Sequence, residues 1–415
     1  MRARHRTIRT SSDVAAFESA HELDRFASEL SFALDDFQRR ACRELERGRG
    51  VLVCAPTGAG KTVVGEFAVH LALAEGGKCF YTTPIKALSN QKFADLSQRH
   101  GREAVGLLTG DQSINPDAPV VVMTTEVLRN MLYASSDTLR GLAFVVMDEV
   151  HYLADRFRGA VWEEVILHLP DEVRLVSLSA TVSNSEEFGA WMETVRGDTA
   201  VIVDETRPVP LYQHVLVGRR MFDLFDKSAD RPGRVDDELL RHIRQREALD
   251  RATGFEQRGR GRGGRRRTGY RPPPRTEVLA RLDEEGLLPA ITFIFSRAGC
   301  DAALNQCLRS GLTLTKPDEG AGDSDAVIER IDEIIARHTG ELARADLEVL
   351  GYWEWREGLH RGLAAHHAGM LPAFRHTVEE LFVQGLIRAV FATETLALGI
   401  NMPARTVVLE RLVKF

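Results

Sequence analysis

The sequence predicts an α/β fold with two parallel-sheet domains in tandem, the second incomplete. Short apolar runs alternate with helix-length segments between about residues 50 and 206, which is typical of βαβ units. The alternation resumes near residue 280, after a stretch rich in Arg, Gly and Pro, and the chain ends at Phe415 directly after an apolar run. We expect an N-terminal tail (1–28), a first domain (29–206), a linker (207–279) and a partial second domain (280–415).

Composition excludes several classes of protein. No run approaches the ~18 apolar residues of a membrane span, and the basic N-terminus is followed by no apolar segment of a secretory signal, so we expect a cytoplasmic protein. The five cysteines are scattered, which argues against a disulfide framework or a zinc site. Net charge is −6, although residues 257–275 hold eight arginines and no acid. A nucleic-acid partner must therefore be argued from motifs rather than from total charge.

The predicted elements follow from the position of each apolar run. In the first domain they are strands at Val51–Cys54, Lys78–Thr82, Val105–Leu108, Val120–Met123, Ala143–Met147, Arg174–Leu178 and Ala200–Val203, with a helix at Lys61–Ala74. We interpret the irregular stretch 207–279 as a linker whose Arg/Gly tract is disordered. In the second domain they are a strand at Ala290–Phe295, a helix from Arg297, an acidic helical surface insertion at about 317–350, a helix at Pro372–Val383, and strands at Leu386–Ala392 and Thr406–Val413.

A phosphate-binding loop is predicted between the first strand and its helix. It comprises Ala55, Pro56, Thr57, Gly58, Ala59, Gly60, Lys61 and Thr62. Gly58 and Gly60 allow backbone N–H groups to surround a β-phosphate, Lys61 reaches the β and γ oxygens, and the Thr62 hydroxyl suits Mg²⁺. Ala55 departs from the usual glycine. The alternative is a glycine-rich turn with an incidental lysine.

Two acids follow the predicted strand Ala143–Met147, at the end of a parallel strand where ligands bind. Asp148 is suited to hold Mg²⁺ through water, and Glu149 to orient and deprotonate the water that attacks a γ-phosphate. Taken alone, this pair could belong to a solvated loop. About 90 residues after a phosphate-binding loop, it predicts a nucleotide hydrolase with Lys61, Asp148 and Glu149 as catalytic residues.

An ordered series of motifs extends this interpretation over most of the chain. The series is Phe32–Gln38, Ala55–Thr62, Thr82–Lys92, Thr109–Asp111, Thr124–Glu126, Asp148–His151, Ser179–Thr181, Phe295–Arg297, His366–Gly369 and Ala392–Pro403. It resembles the DEVH-box, superkiller-like family of superfamily-two helicases, which includes exosome-associated RNA helicases and an actinobacterial HelY-type branch. The resemblance implies two RecA-like domains with ATP and Mg²⁺ between them, and 3′-to-5′ movement on single-stranded or tailed RNA without sequence preference. It also implies a monomer that works with RNA-degradation machinery.

The resemblance also implies roles for single residues. Phe32, Gln38, Gly399 and Asn401 would contact the nucleotide, and His151, Ser179 and Thr181 would couple hydrolysis to domain closure. Contacts to the nucleic-acid backbone would come from Pro84, Lys86, Thr109, Gly110, Thr125, Glu126, Ser296, Arg297, His367, Gly369, Thr393 and Thr395. The alternatives are a core position for Phe32, a core histidine at 151, a Ser/Thr turn at 179–181, and threonines and glycines that only form turns.

The family's Gln-x-x-Gly-Arg-x-Gly-Arg segment, whose arginines stabilise the charge on the γ-phosphate, is absent from these 415 residues. We therefore expect a C-terminally truncated helicase that binds ATP and hydrolyses it poorly. The rival hypotheses are a DNA helicase in repair and a non-enzymatic nucleotide- or RNA-binding fragment. The Arg/Gly tract is expected to bind RNA weakly, the alternative being an inert linker.

Overall fold

Strands and helices alternate along the chain in the computed structural model, as predicted. The structure describes residues 22–180, 184–227, 233–256, 273–315, 324–340, 342–343, 347, 350–394, 396 and 402–411. The chain divides into two compact units, Met1–Pro210 and Leu211–Phe415. Among the described helices, none combines the length and the hydropathy that a membrane crossing requires.

The first unit is built on an eight-stranded sheet. Its strands are β1 (Gly50–Cys54), β2 (Lys78–Thr83), β3 (Val105–Leu108), β4 (Ser113–Ile114), β5 (Val120–Thr124), β6 (Leu142–Met147), β7 (Arg174–Ser179) and β8 (Thr199–Val203). The order across the sheet is β4-β3-β5-β2-β6-β7-β1-β8, and every pairing is parallel except β3 with the short edge strand β4. The seven predicted strands are confirmed to within one residue at each end, whereas β4 was not predicted.

Helices cover both faces of this sheet. They are α1 (Glu22–Glu29), α2 (Asp36–Glu46), α3 (Thr62–Ala74), α4 (Lys86–His100), α5 (Thr125–Tyr133), α6 (Gly159–His168) and α7 (Ser185–Arg196). Along β1, Val51 and Val53 pack into one apolar cluster and Leu52 and Cys54 into the other. The central strands are thus buried on both sides, which explains their continuous rather than alternating hydrophobicity.

The second unit contains a four-stranded parallel sheet. Its strands, in the order β12-β13-β11-β14, are β12 (Leu363–His366), β13 (Ala389–Ala392), β11 (Ala290–Phe293) and β14 (Thr406–Leu409). The helices are α9 (Arg275–Glu284), α10 (Arg297–Arg309), α11 (Ser324–Thr339), α12 (Tyr352–His360) and α13 (Pro372–Val383). Strand β12 was not predicted because it is four residues long and contains two alanines.

The stretch interpreted as an irregular linker contains regular structure. A hairpin, β9 (His214–Val217) and β10 (Arg220–Asp223), precedes the 20-residue helix α8 (Asp237–Glu256). Val217, Phe222 and Leu239 form their common apolar cluster. This part of the prediction is wrong because α8 is highly charged, and within its residues 237–249, whose side chains the structure describes, Leu239 alone is fully buried, so the apolar pattern is weak.

The acidic insertion is also more than a surface excursion. Within it, α11 buries Ile331, Ile334 and Ile335 in the same cluster as Phe374 and Val378 of α13. The helix therefore contributes to the core of the second unit. Most of the Arg/Gly tract lies outside the described residues, but its last arginine, Arg275, begins α9 and pairs with Glu410.

Candidate nucleotide and nucleic-acid sites

The carboxyl edge of the first sheet gathers most of the predicted site residues of this unit. Residues 55, 148 and 179 stand at the ends of β1, β6 and β7, and these three strands are adjacent. The loops expected to bind nucleic acid follow β2, β3 and β5, which are also adjacent to one another. The sheet order therefore places the candidate phosphate-binding residues at the ends of β6, β7 and β1, which we call the phosphate side. The candidate nucleic-acid-binding residues follow β3, β5 and β2, the nucleic-acid side, and β2 is next to β6 where the two sides meet.

The phosphate-binding loop has the backbone geometry that its glycines predict. Gly58 and Gly60 have φ angles of +86° and +80°, a region that favours glycine. A Cβ on Gly60 would lie 2.7 Å from Gln38 Nε2, so a larger residue would require the Gln38 side chain to shift. The loop leads directly into α3, whose N-terminal N–H groups suit an anion.

Lys61 is buried at the centre of this loop. Its Nζ donates to the carbonyl oxygens of Ala55 and Pro56 at 2.8 and 3.1 Å. Burial lowers the pKa of Lys61, and the nearby carboxylates of Glu149 and Asp148 oppose that shift. The ammonium is thus held among carbonyl oxygens, close to the two acids.

Gln38 ties the segment before β1 to the phosphate-binding loop. Its Oε1 accepts from Asp35 N at 2.9 Å, and its Nε2 donates to Gly60 O at 3.1 Å. Phe32, six residues earlier, is 52% exposed. The alternative of a core position for Phe32 is therefore wrong, and its ring is accessible to a planar ligand.

Asp148 follows β6 and is held by two donors. Its Oδ1 accepts from Glu149 N at 2.9 Å, and its Oδ2 accepts from the Tyr81 hydroxyl at 3.1 Å. Burial raises the pKa of Asp148 above its usual range. The motif analysis did not identify Tyr81; its position within a buried strand, just before Thr82–Lys92, was the available signal.

Glu149 combines a strained backbone with a perturbed carboxyl group. Its φ and ψ of 54° and 44° lie in the left-handed region, which is uncommon for a residue with a Cβ. Burial, reinforced by repulsion from Asp148, raises the pKa of Glu149 to about 7. Such a carboxyl can exchange a proton near neutral pH, as a general base requires.

The acids and Thr62 provide an all-oxygen donor set, which suits Mg²⁺. Asp148 is half-buried, and the buried Oε2 of Glu149 accepts no hydrogen bond from the residues that the structure describes. Those residues contain no cluster of three His, Cys, Asp or Glu that could hold a metal alone. The residues therefore fit a cation held by few protein ligands together with a bound phosphate.

His151 lies between Glu149 and the end of β7. Its Nδ1 is 3.2 Å from Glu149 Oε2 and accepts from Ala180 N at 3.5 Å. Ser179 is buried, and its carbonyl accepts from Ala55 N at 3.1 Å. The structure thus places two of the three predicted coupling residues beside the nucleotide site, whereas Thr181 lies outside the described residues.

On the nucleic-acid side, the predicted residues after β2 and β3 are close together. The Nζ of Lys86 lies 2.7 Å from Asp111 Oδ1, which also accepts from the Thr109 hydroxyl at 2.9 Å. A Cβ on Gly110 would lie 4.0 Å from Lys86 Cε. The two loops therefore form one surface carrying an exposed lysine.

The first turn of α5, which directly follows β5, is linked to this surface by hydrogen bonds. Thr125 is buried and its hydroxyl donates to Thr83 O at 3.3 Å, so that hydroxyl serves the fold. Glu126 Oε1 lies 2.7 Å from Arg158 Nη2, which also donates to Pro84 O at 2.5 Å. Arg158 was not identified from the sequence, where it is one of several arginines after the Asp148–His151 motif.

In the second unit, the predicted residues again follow strand ends. Ser296 caps α10 by accepting from Gly299 N at 3.1 Å, and Arg297 is exposed beside it. A Cβ on Gly369 would lie 3.4 Å from Arg297 Cδ. The loops after β11 and β12 thus lie side by side.

His367 is buried and both of its ring nitrogens have partners. The Nε2 lies 2.9 Å from Asp301 Oδ1, and the Nδ1 accepts from Gly369 N at 3.2 Å. Thr393 follows β13, and its N–H donates to His366 O at 3.2 Å. The predicted residues Thr395, Gly399 and Asn401 lie outside the described residues.

The sequence of the chain is similar to those of known helicases. Residues 35–188 match the family model of the DEAD/DEAH box helicases. The chain is 72% identical over 398 residues to the probable helicase HelY of Mycobacterium tuberculosis, covering 95% of this chain and 43% of that protein. It is 39% identical to the exosome RNA helicase of Homo sapiens (94% of this chain, 36% of that protein) and 40% identical to human superkiller complex protein 2 (94% and 30%). The chain therefore spans less than half the length of these relatives.

Proposed function

Because this chain belongs to the superkiller-like family of superfamily-two DEVH-box helicases, we propose that it is the ATP-hydrolysing part of a motor that moves 3′ to 5′ along RNA. The observation that carries the proposal is the placement of Lys61 beside Glu149 and Asp148 at one edge of a parallel sheet. RNA is favoured over DNA because the human exosome relative is named an RNA helicase.

The proposed chemistry assigns one step to each group. The N–H groups of the loop at Gly58–Thr62 bind the β-phosphate, and the Lys61 ammonium exchanges its two carbonyl partners for phosphate oxygens. Glu149 orients the attacking water and accepts its proton. Thr62 and Asp148 would hold Mg²⁺, which supplies positive charge to the β and γ oxygens.

The proposal includes slow turnover by the 415-residue chain. An arginine finger contributes about 10³–10⁵ in rate, and these 415 residues contain no Gln-x-x-Gly-Arg-x-Gly-Arg segment. We therefore expect the isolated chain to bind Mg²⁺-ATP and to hydrolyse it slowly. The role in RNA degradation and the monomeric state belong to the same proposal.

The proposed function is tested by measuring phosphate release with Mg²⁺-ATP alone, with added single-stranded RNA, and with added DNA of the same sequence. We expect weak release that RNA increases more than DNA does, and that Lys61→Ala abolishes. Equal stimulation by both strands would favour a DNA helicase. Tight RNA binding without any release that depends on Lys61 would instead favour the non-enzymatic hypothesis.

A further inference from the structure

The proposed RNA surface of the first unit contains two acids, and each is held by a different cation. Lys86 pairs with Asp111 at 2.7 Å, and Arg158 pairs with Glu126 at 2.7 Å. An unpaired carboxylate on such a surface would repel RNA phosphates. The two cations therefore keep the surface receptive to a polyanion, although they do so in different environments.

Lys86 is in a position to change partners. Its side chain is 52% exposed and that of Asp111 is 62% exposed, so their pairing is weak and screened by salt. A phosphate can replace Asp111 as the partner of Lys86. This behaviour is what a direct phosphate contact requires.

Arg158 is instead fixed from several sides. Its guanidinium carbon lies 5.5 and 5.9 Å from the ring centroids of Trp162 and Tyr152. Its Nη2 donates both to Pro84 O and to Glu126, joining the loop after β2 to the first turn of α5. Its own N–H donates to Asp155 Oδ1 at 2.9 Å, which fixes the turn that carries it.

The same arginine is connected to the hydrolysis site. Tyr152, under the Arg158 guanidinium, has its ring centroid 5.2 Å from that of His151. His151 in turn lies 3.2 Å from Glu149 Oε2. A single packed segment, residues 149–158, thus runs from the acid that handles water to the two loops that would bind RNA.

From these contacts we propose that Arg158 is a positioning residue, which holds the loop at Pro84 and the first turn of α5 at Glu126 in the RNA-binding arrangement and connects them to the segment carrying Glu149. The inference rests on the proposed function, because it needs RNA to bind this surface. Arg158 does not itself contact phosphate. Glu126 serves as the partner of Arg158 and not as an RNA ligand.

The test measures the affinity of the 415-residue chain for a fluorescent 20-nucleotide RNA at several salt concentrations. We expect Arg158→Gln to weaken binding about tenfold, since two loops lose a shared charged donor. The slope of log Kd against log salt stays as in the wild type, because no phosphate contact is removed; a direct contact would lower it by about 0.7. Arg158→Lys restores binding only in part, since it lacks the planar fork of donors.

Arg129 provides the matched control. It links α5 to α6 through Glu164 at 3.7 Å, and its side chain is about as exposed as that of Arg158. We expect Arg129→Gln to leave RNA affinity within about twofold of the wild type. The variant with both Glu126→Gln and Arg158→Gln should bind no more weakly than Arg158→Gln alone, because the residues act as a pair.

The outcomes separate this inference from the proposed function. A wild-type chain that binds no RNA would overturn the proposed function and this inference with it. The positioning role alone would be overturned if Arg158→Gln left the RNA affinity unchanged. It would also be overturned if Arg129→Gln weakened RNA binding as much as Arg158→Gln does. If Arg158→Gln reduces the salt slope by about 0.7, Arg158 binds a phosphate directly, and the positioning role is overturned as well.

Discussion

Glu149 should make the folded protein less stable at alkaline pH than it would be with a neutral side chain. Its pKa is raised by burial and by Asp148 from 4.5 to about 7, so the folded state binds this proton more tightly than the unfolded state does. Stability is therefore lost as pH rises from about 4.5 through 7. Glutamine at this position does not titrate, so the Glu149→Gln variant does not lose stability through this side chain as the pH rises.

The magnitude follows from the two pKa values. A shift of about 2.5 units corresponds to up to about 3 kcal/mol at pH 8 and to about 1.5 kcal/mol at pH 5.5. The side chain is 30% exposed, so solvent screening makes these values upper bounds. For a unit of this size, about 1 kcal/mol shifts Tm by about 2–4 °C.

Scanning calorimetry in EDTA buffers at pH 8 and pH 5.5 measures the difference. We expect Glu149→Gln to raise the Tm of the first unit by several degrees at pH 8, and by about half as much at pH 5.5. The control is Glu163→Gln, which replaces an exposed glutamate on α6 and should change Tm at neither pH. An equal increase in Tm at both pH values, or no increase at pH 8, would show that the pKa of Glu149 is not raised in the folded protein.

Three further predictions concern Tyr81, Gly159 and the Arg/Gly tract. Tyr81→Phe removes the hydroxyl that donates to Asp148 and should raise the Mg²⁺ concentration needed for half-maximal phosphate release several-fold; an unchanged Mg²⁺ requirement would contradict this role. Gly159→Ala places a Cβ 2.1 Å from Leu153 O and should destabilise the first unit by about 2 kcal/mol or more, as measured by urea unfolding. A variant that unfolds at the wild-type urea midpoint would show that the backbone accommodates the methyl group. Deleting residues 257–272, which spares Arg275, should reduce the salt dependence of RNA binding, and an identical slope would make the tract an inert linker.

Much of the first unit was predictable because its strands are buried on both faces. Runs such as Val51–Cys54 and Ala143–Met147 are continuous apolar segments, and the glycines and acids that follow them have a specific chemistry. The order of strands places these loops together at one edge, as parallel pairing requires. The residues of the candidate nucleotide site could therefore be proposed from the sequence, whereas the hydrogen bonds that orient them could not.

Other features depend on contacts that no local pattern encodes. The charged helix α8 packs Leu239 against Val217 and Phe222 of the hairpin that precedes it. The insertion helix α11 carries isoleucines that find partners on α13, some 40 residues later. Arg158 gains its importance only because β2 and β5 are neighbours, which brings Pro84 and Glu126 within reach.

Lys61 and Glu149 are proposed to form one ATP-hydrolysing site in which each has a separate role. The most direct test measures Mg²⁺-ATP affinity by calorimetry and phosphate release in the presence of RNA, for the wild type, Lys61→Ala and Glu149→Gln. We predict that Lys61→Ala loses at least tenfold in ATP affinity, whereas Glu149→Gln binds ATP as the wild type does and releases no phosphate. Wild-type affinity in Lys61→Ala, or undiminished release by Glu149→Gln, would contradict the account.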